Sequence, residues 1–212
     1  EESIVLLKND NDVLPLAKDA KVAVIGDFAS VPRFQGAGSS MVNAAKEDKT
    51  LDLLPDFFSH SIGYAPGFQR IDKEDEALAA EAESLAAKAD YVLLYLGLTE
   101  GYETEGLDRT HLRIPDNQIA LLSRLRQVNS HIIVVMTAGS AVEMPWLDQC
   151  EALVWAGLGG QAVAGAVLRV LTGDVNPSGK LAESFPISYD ETPVSQYYPG
   201  AEKTSEYRES IF

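Results

Sequence analysis

Apolar runs of strand length alternate along this chain with longer segments of helical period, the pattern of a mostly parallel, doubly wound sheet with helices on both faces. Four runs predict strands, at 22–25, 91–96, 132–136 and 152–155. Between the first two lies a loop-rich segment, then 74–89, EDEALAAEAESLAAKA, an alanine-rich amphipathic helix with Leu78 and Leu85 seven apart on one face. A second helix opens at Pro115-Asp116, points Ile119, Leu122, Leu125 and Val128 at the sheet, and ends at Asn129. A third follows Gly159-Gly160 and runs to about Leu171, where Gly173 stops it. Residues 2–8 read as the end of a helix entering from preceding sequence, and 181–185 as a further short strand. Beyond Pro193, with Pro199 and Gly200, the chain reads as an irregular tail on a surface. The expected fold class is α/β, a three-layer α/β/α sandwich around a mostly parallel sheet.

Composition narrows the function more than the fold. A chain of 212 residues with 46% hydrophobic content supports one good core, so residues 1–212 are read as a single domain. The formal net charge of -15, from 17 basic and 32 acidic residues, disfavours nucleic acid and anionic membranes as partners, because phosphate binding needs a basic patch. No run of about 18 apolar residues is present to form a spanning helix. The single cysteine, Cys150, has no internal partner and sits in an apolar context, so it reads as a buried thiol. That agrees with a cytoplasmic location, while secretion stays open because the true N-terminus is not seen. His60, His111 and His131 are scattered without metal-ligand spacing, so no metal and no cofactor is expected.

The stretch 97–115, GLTEGYETEGLDRTHLRIP, directly follows the apolar run 91–96 and carries the densest chemistry. Glu100, Glu103, Glu105, Asp108 and Arg109 share one loop at the carboxyl end of a strand, where open α/β sheets place their ligands. Crowded carboxyl groups resist ionisation, and a carboxyl that keeps its proton near neutrality is a general acid. Gly101 and Gly106 let the backbone approach a ligand. A solvated acidic loop remains the competing reading. The stretch 35–40, QGAGSS, superficially resembles a dinucleotide fingerprint, yet only Gly36 and Gly38 are in place and no acid ends the second strand.

Six collinear motifs carry a family resemblance: ESIVLLKN at 2–9, LPL at 14–16, QGAGSS at 35–40, EGLDR at 105–109, EMPW at 143–146 and NPSGKL at 176–181. Together they resemble the second domain of family 3 glycoside hydrolases, mostly β-glucosidases, over nearly the whole chain. The resemblance implies a retaining enzyme that hydrolyses terminal β-D-glucosyl residues by double displacement. It implies a nucleophilic aspartate on a preceding (β/α)8 barrel and a fibronectin-III-like domain downstream, neither of them in this sequence. In the family pattern the acid/base glutamate stands four residues before an arginine or aspartate and about ten before a proline, intervals that Glu105, Arg109 and Pro115 satisfy. Glu105 is therefore the candidate acid/base, with Glu103 and Glu100 as rivals because this loop varies in length. Arg109 paired to Glu105 would depress its pKa, so Asp108 and Arg109 are read as structural, with Arg109 held by another acid. The resemblance also brings Arg33, Phe34 and Gln35 to the active-site mouth, as contacts to sugar or barrel or as a tight turn.

Trp146 and Trp155 are read as packing rather than sugar platforms. The expected partners are a β-glucoside or oligosaccharide and the upstream barrel, and the chain alone is expected to be inactive. An apolar patch around 35–40 and 100–109 is expected to be exposed or buried by self-association. The alternative function is a non-catalytic carbohydrate-binding or interaction module on the same fold.

Overall fold

The computed structural model describes residues 1–201 and 203–206. Six strands form one sheet: β1 (Val5–Asn9), β2 (Lys21–Ile25), β3 (His60–Ala65), β4 (Tyr91–Gly97), β5 (Ile132–Thr137) and β6 (Ala152–Trp155). Their spatial order is β1-β6-β5-β4-β2-β3, parallel throughout except for β1, which pairs antiparallel with β6. The central strands β4 and β5 read VLLYL and IIVVM because helices cover both of their faces; every residue of β5 is buried.

Four helices complete the layers: α1 (Thr50–Phe57), α2 (Glu76–Ala86), α3 (Asp116–Val128) and α4 (Val163–Leu171). Helices α2 and α3 pack together, and so do α1 and α4. Handedness accounts for the division. From β2 the chain moves outward to β3, then back past β2 to β4 and onward to β5. Right-handed crossovers place the helix of an outward step on one face and those of the return steps on the other. Asp75 starts α2 by accepting the N–H groups of Ala77 and Leu78 at 3.1 and 3.2 Å. Asn129 ends α3 by donating to Ala86 and Ala89 at 3.0 and 2.9 Å and accepting from His131 N–H.

Three segments differ from the sequence reading. The segment 2–8 is not a helix end: β1 occupies it, a strand whose partner β6 begins only at Ala152. The loop-rich stretch between β2 and β4 contains α1, which carries Pro55 inside it, and the edge strand β3, whose outward positions are exposed. No strand forms at 181–185; Phe185 instead packs edge-on against Trp155 at 4.8 Å between ring centroids. The helix faces also shift. Ala79, Ala82 and Ala86 are the buried stripe of α2, with Leu78 and Leu85 half-buried beside it. In α3 the buried residues are Asn117, Gln118, Leu121, Leu122 and Leu125, while Val128 is exposed. Trp146 is buried in the core. The tail is irregular apart from a short turn at Tyr189–Glu191, and its residues 202 and 207–212 lie outside the described residues.

The switch in winding direction falls between β2 and β4. There the chain leaves β2 toward β3 and leaves β4 toward β5, so the loops at the two carboxyl ends part and open a crevice. Gly26 ends β2 at this point with φ +111, and a Cβ on it would stand 2.2 Å from the Tyr95 carbonyl oxygen. No side chain fits there. Gln118, fully buried, completes the end of β4: its Nε2 donates to the Gly97 carbonyl and its Oε1 accepts the Gly97 N–H, both at 2.9 Å.

Candidate active site at the topological switch

A cavity of about 500 Å³ opens in this crevice, lined by the loops that follow β2, β4 and β5 and by the tail. Glu103, Glu105 and Arg109 line it, as do Arg33, Gly139 and Ser140. Glu100 does not; it is half exposed and lies 3.4 Å from Arg70, which also pairs with Asp27 at 2.5 Å and covers the Phe28 ring.

Glu103 is consumed by its surroundings. Its Oε2 accepts from Arg33 Nη1 at 2.5 Å and from Gly139 N–H at 2.9 Å, and its Oε1 accepts the Ser140 hydroxyl at 2.5 Å. Arg33 also donates to the backbone carbonyls of Leu98 and Glu103 at 2.9 and 3.0 Å, tying the β2 loop to the β4 loop. Arg109 reaches Glu103 Oε1 at 3.8 Å and donates to the Ser140 hydroxyl and the Ala141 carbonyl at 2.8 and 3.0 Å. Burial works against an ionised Glu103, but the hydrogen bonds from Ser140, Gly139 and Arg33 outweigh it and hold the carboxyl below its ordinary pKa. Arg109 is thus held by an acid other than Glu105, and the loop is pinned at Glu103.

Glu105 is placed differently. It projects from the pinned loop, is exposed, and meets the β2 loop: the Ser39 backbone N–H donates to Oε2 at 2.7 Å. Hydrogen bonds from the Ser39 side chain and backbone hold its carboxyl below its ordinary value. Gly38 makes this approach possible. It has φ +90, and a Cβ there would lie 2.6 Å from Glu105 Cβ.

The other sequence candidates separate. Arg33 lines the cavity, but its side chain is 1% exposed and its Nη1 and Nη2 are turned onto Glu103 and the two carbonyls, with Nε buried and unpartnered among the described residues. Gln35 lies outside the lining and closes its own loop, its amide bonded to the N–H and carbonyl of Val42, each at 3.0 Å. Trp155 is not in the lining either. The sequence reading missed Ser39, Gly139, Ser140, Tyr189 and Tyr198. Position after a strand end was the available signal for Gly139 and Ser140; for the tail tyrosines the sequence offered none.

Several large apolar side chains on the loops at this edge of the sheet meet solvent. Val31, Met41 and Val42 follow β2, Ile71 follows β3 and Leu107 follows β4, and all are exposed.

Comparison with known proteins identifies the family to which this fold belongs. The family profile described as the glycosyl hydrolase family 3 C-terminal domain matches residues 4–212. The thermostable beta-glucosidase B of Acetivibrio thermocellus is 43% identical over the whole chain, which spans 28% of that protein. The exo-alpha-(1->6)-L-arabinopyranosidase of Bifidobacterium longum is 40% identical over the whole chain, which spans 29% of it. In structure, the GH3 beta-glucosidase of Bifidobacterium adolescentis superposes on 95% of the chain with a TM-score of 0.90 at 43% identity, and the chain covers 30% of that enzyme. The chain thus spans less than a third of the length of these relatives. With the profile covering all but its first three residues, the chain belongs to the glycosyl hydrolase family 3 C-terminal domain family.

Proposed function

We propose that this chain is the part of a retaining β-glucosidase that supplies the acid/base, and that Glu105 is that residue. The observation that carries the assignment is the division of labour in the loop. Glu103 is locked by Arg33, Gly139 and Ser140, Glu100 lies outside the cavity lining, and Glu105 alone of the three stands in the cavity wall without a cationic partner among the described residues. The nucleophile is expected to be an aspartate on a preceding (β/α)8 barrel, and the exposed apolar rim supports a further domain lying over this edge.

In that arrangement the aspartate carboxylate attacks the anomeric carbon while Glu105 gives its proton to the glycosidic oxygen, and the aglycone leaves as an alcohol. Water then attacks the glycosyl ester, Glu105 takes its proton, and the sugar departs with retained configuration. Ser39 holds Glu105 toward the ionised form, the wrong state for the first step. A nucleophile carboxylate roughly 5 Å away pushes the other way by like-charge repulsion. When that carboxylate becomes an ester the repulsion vanishes, and Ser39 then favours the base that the second step needs.

The alternative, a non-catalytic sugar-binding module, draws support from the same hydrogen bonds, since an ionised Glu105 is a good acceptor for sugar hydroxyls. Leaving-group dependence in the intact protein separates the two. Glu105→Ala should cost far more rate on glucosides with poor leaving groups than on dinitrophenyl glucosides, a loss of roughly 10²–10⁴-fold. If Glu103→Ala gives that signature instead, the residue assignment is wrong while the mechanism stands.

A further inference from the structure

Asp72, on the loop after β3, joins the first turn of α3 to the loop that carries Glu105. Its Oδ1 accepts the Asn117 N–H and its Oδ2 accepts the Tyr102 phenol, both at 3.0 Å. Helix α3 needs the first of these bonds, because Pro115 at its start offers no side-chain acceptor and first-turn N–H groups have no partner inside a helix. Asn117 fixes Asp72 in return. It is 5% exposed, and its Nδ2 donates to the carbonyls of Gln69, Ile71 and Lys73 at 2.9, 3.1 and 3.3 Å, on both sides of Asp72 in the chain. The next residue, Gln118, holds the end of β4. One helical turn thus fixes the strand end where the acidic loop begins and, through Asp72, a side chain three residues before Glu105. Burial works against an ionised Asp72, but the hydrogen bonds from Asn117 and Tyr102 hold its carboxyl below its ordinary value. Burial and the Asp72 carboxylate together push the Tyr102 phenol up to about 12, so it stays a donor at neutral pH.

We propose that Asp72 is a positioning residue for the reaction, setting the reach of Glu105 by holding Tyr102. The inference rests on Glu105 as the acid/base. Glu105 projects from a segment held at Glu103 by the loops after β2 and β5, and at Tyr102 by α3. Its own carboxyl is met only by Ser39 of the exposed β2 loop, so its direction follows from the two anchors behind it. A general acid acts within about 2.6–3.2 Å of the oxygen it protonates, and a misplacement of about 1 Å costs up to 10²-fold in rate. A phenol bonded to a carboxylate is a charge-assisted anchor, stronger than a neutral one.

The test compares methyl and dinitrophenyl β-glucosides in the intact protein, since only the first needs a well-placed acid. Tyr102→Phe, which keeps the ring, and Asp72→Ala should each lower the methyl-to-dinitrophenyl ratio of kcat/KM roughly three- to tenfold. Asp72→Asn keeps an acceptor for Asn117 and turns its amide N–H toward the Tyr102 oxygen, a bond in the same place with the donor reversed, and should hold the ratio near wild type. Added to Glu105→Ala, Tyr102→Phe should change the ratio no further. Both substrates are read on one preparation, so the ratio is independent of how much of it is folded, and a merely structural role would lower the two rates together. A ratio unchanged in Tyr102→Phe and Asp72→Ala, while Glu105→Ala lowers it, overturns the positioning role and leaves the acid in place. A ratio as low in Asp72→Asn as in Asp72→Ala also overturns it, since the carboxylate would then act by charge. A ratio unchanged in Glu105→Ala itself removes the acid reading, and this inference with it.

Discussion

Arg33 and Glu103 meet at 2.5 Å with side chains 1% and 13% exposed, joining the loop after β2 to the loop after β4 at the switch in the sheet. Breaking a buried pair from one side strands the other charge, at a cost of about 3–5 kcal/mol. Arg33→Met should therefore destabilise the fold by about 3 kcal/mol in denaturant unfolding. Replacing both partners with apolar residues of similar volume should recover much of that loss. Equal stability of Arg33→Met and wild type would mean that the pair does not hold the loops together.

The same pair sets a pH dependence. The Glu103 pKa is lowered on folding, so its contribution to stability is present above the unfolded carboxyl value of about 4.3. That contribution is lost as pH falls through the lower folded value. Glu103→Gln should flatten this part of the acid-unfolding curve. A variant whose stability falls as steeply below pH ~4 as that of wild type would show that other carboxyls carry the dependence.

Ser39 tunes Glu105 in a readable direction. Its hydrogen bonds favour the carboxylate and lower the pKa, so Ser39→Ala removes the hydroxyl's share and the pKa rises. The protonated acid then persists to higher pH, and the alkaline limb of kcat/KM in the intact enzyme should move upward. A limb that stays in place or moves down would detach Ser39 from the acid.

Gln118 tests the frame of the crevice. Gln118→Leu keeps the volume but leaves the N–H and carbonyl of Gly97 unpaired in the core, which should cost about 2–3 kcal/mol by denaturant unfolding. A neutral effect would mean that the end of β4 finds other partners.

How much of this was legible in the sequence depended on how local the signals were. Strands β4 and β5 announce themselves because burial on both faces demands uninterrupted apolar runs, and α3 because Pro115 and Asn129 bracket it. Strand β1 did not, since five residues cannot distinguish strand from helix and its partner β6 is remote in sequence. Strand β3 and helix α1 were hidden for different reasons: an edge strand carries polar residues, and α1 is short with a proline inside it. Within the site, spacing located the acidic loop but left Glu103 and Glu105 in competition. The difference between their surroundings comes from Arg33, 70 residues before Glu103, and Ser140, 37 after it.

The central claim is that Glu105 is the group that protonates the leaving oxygen and later activates water. Azide tests it most directly, because a small anion attacks the glycosyl ester without needing a base. In the intact protein, Glu105→Ala turning over dinitrophenyl β-glucoside should be reactivated by azide and yield β-glucosyl azide, while Glu103→Ala should show no such rescue. Rescue confined to Glu103→Ala, or no azide adduct from either variant, would contradict the account.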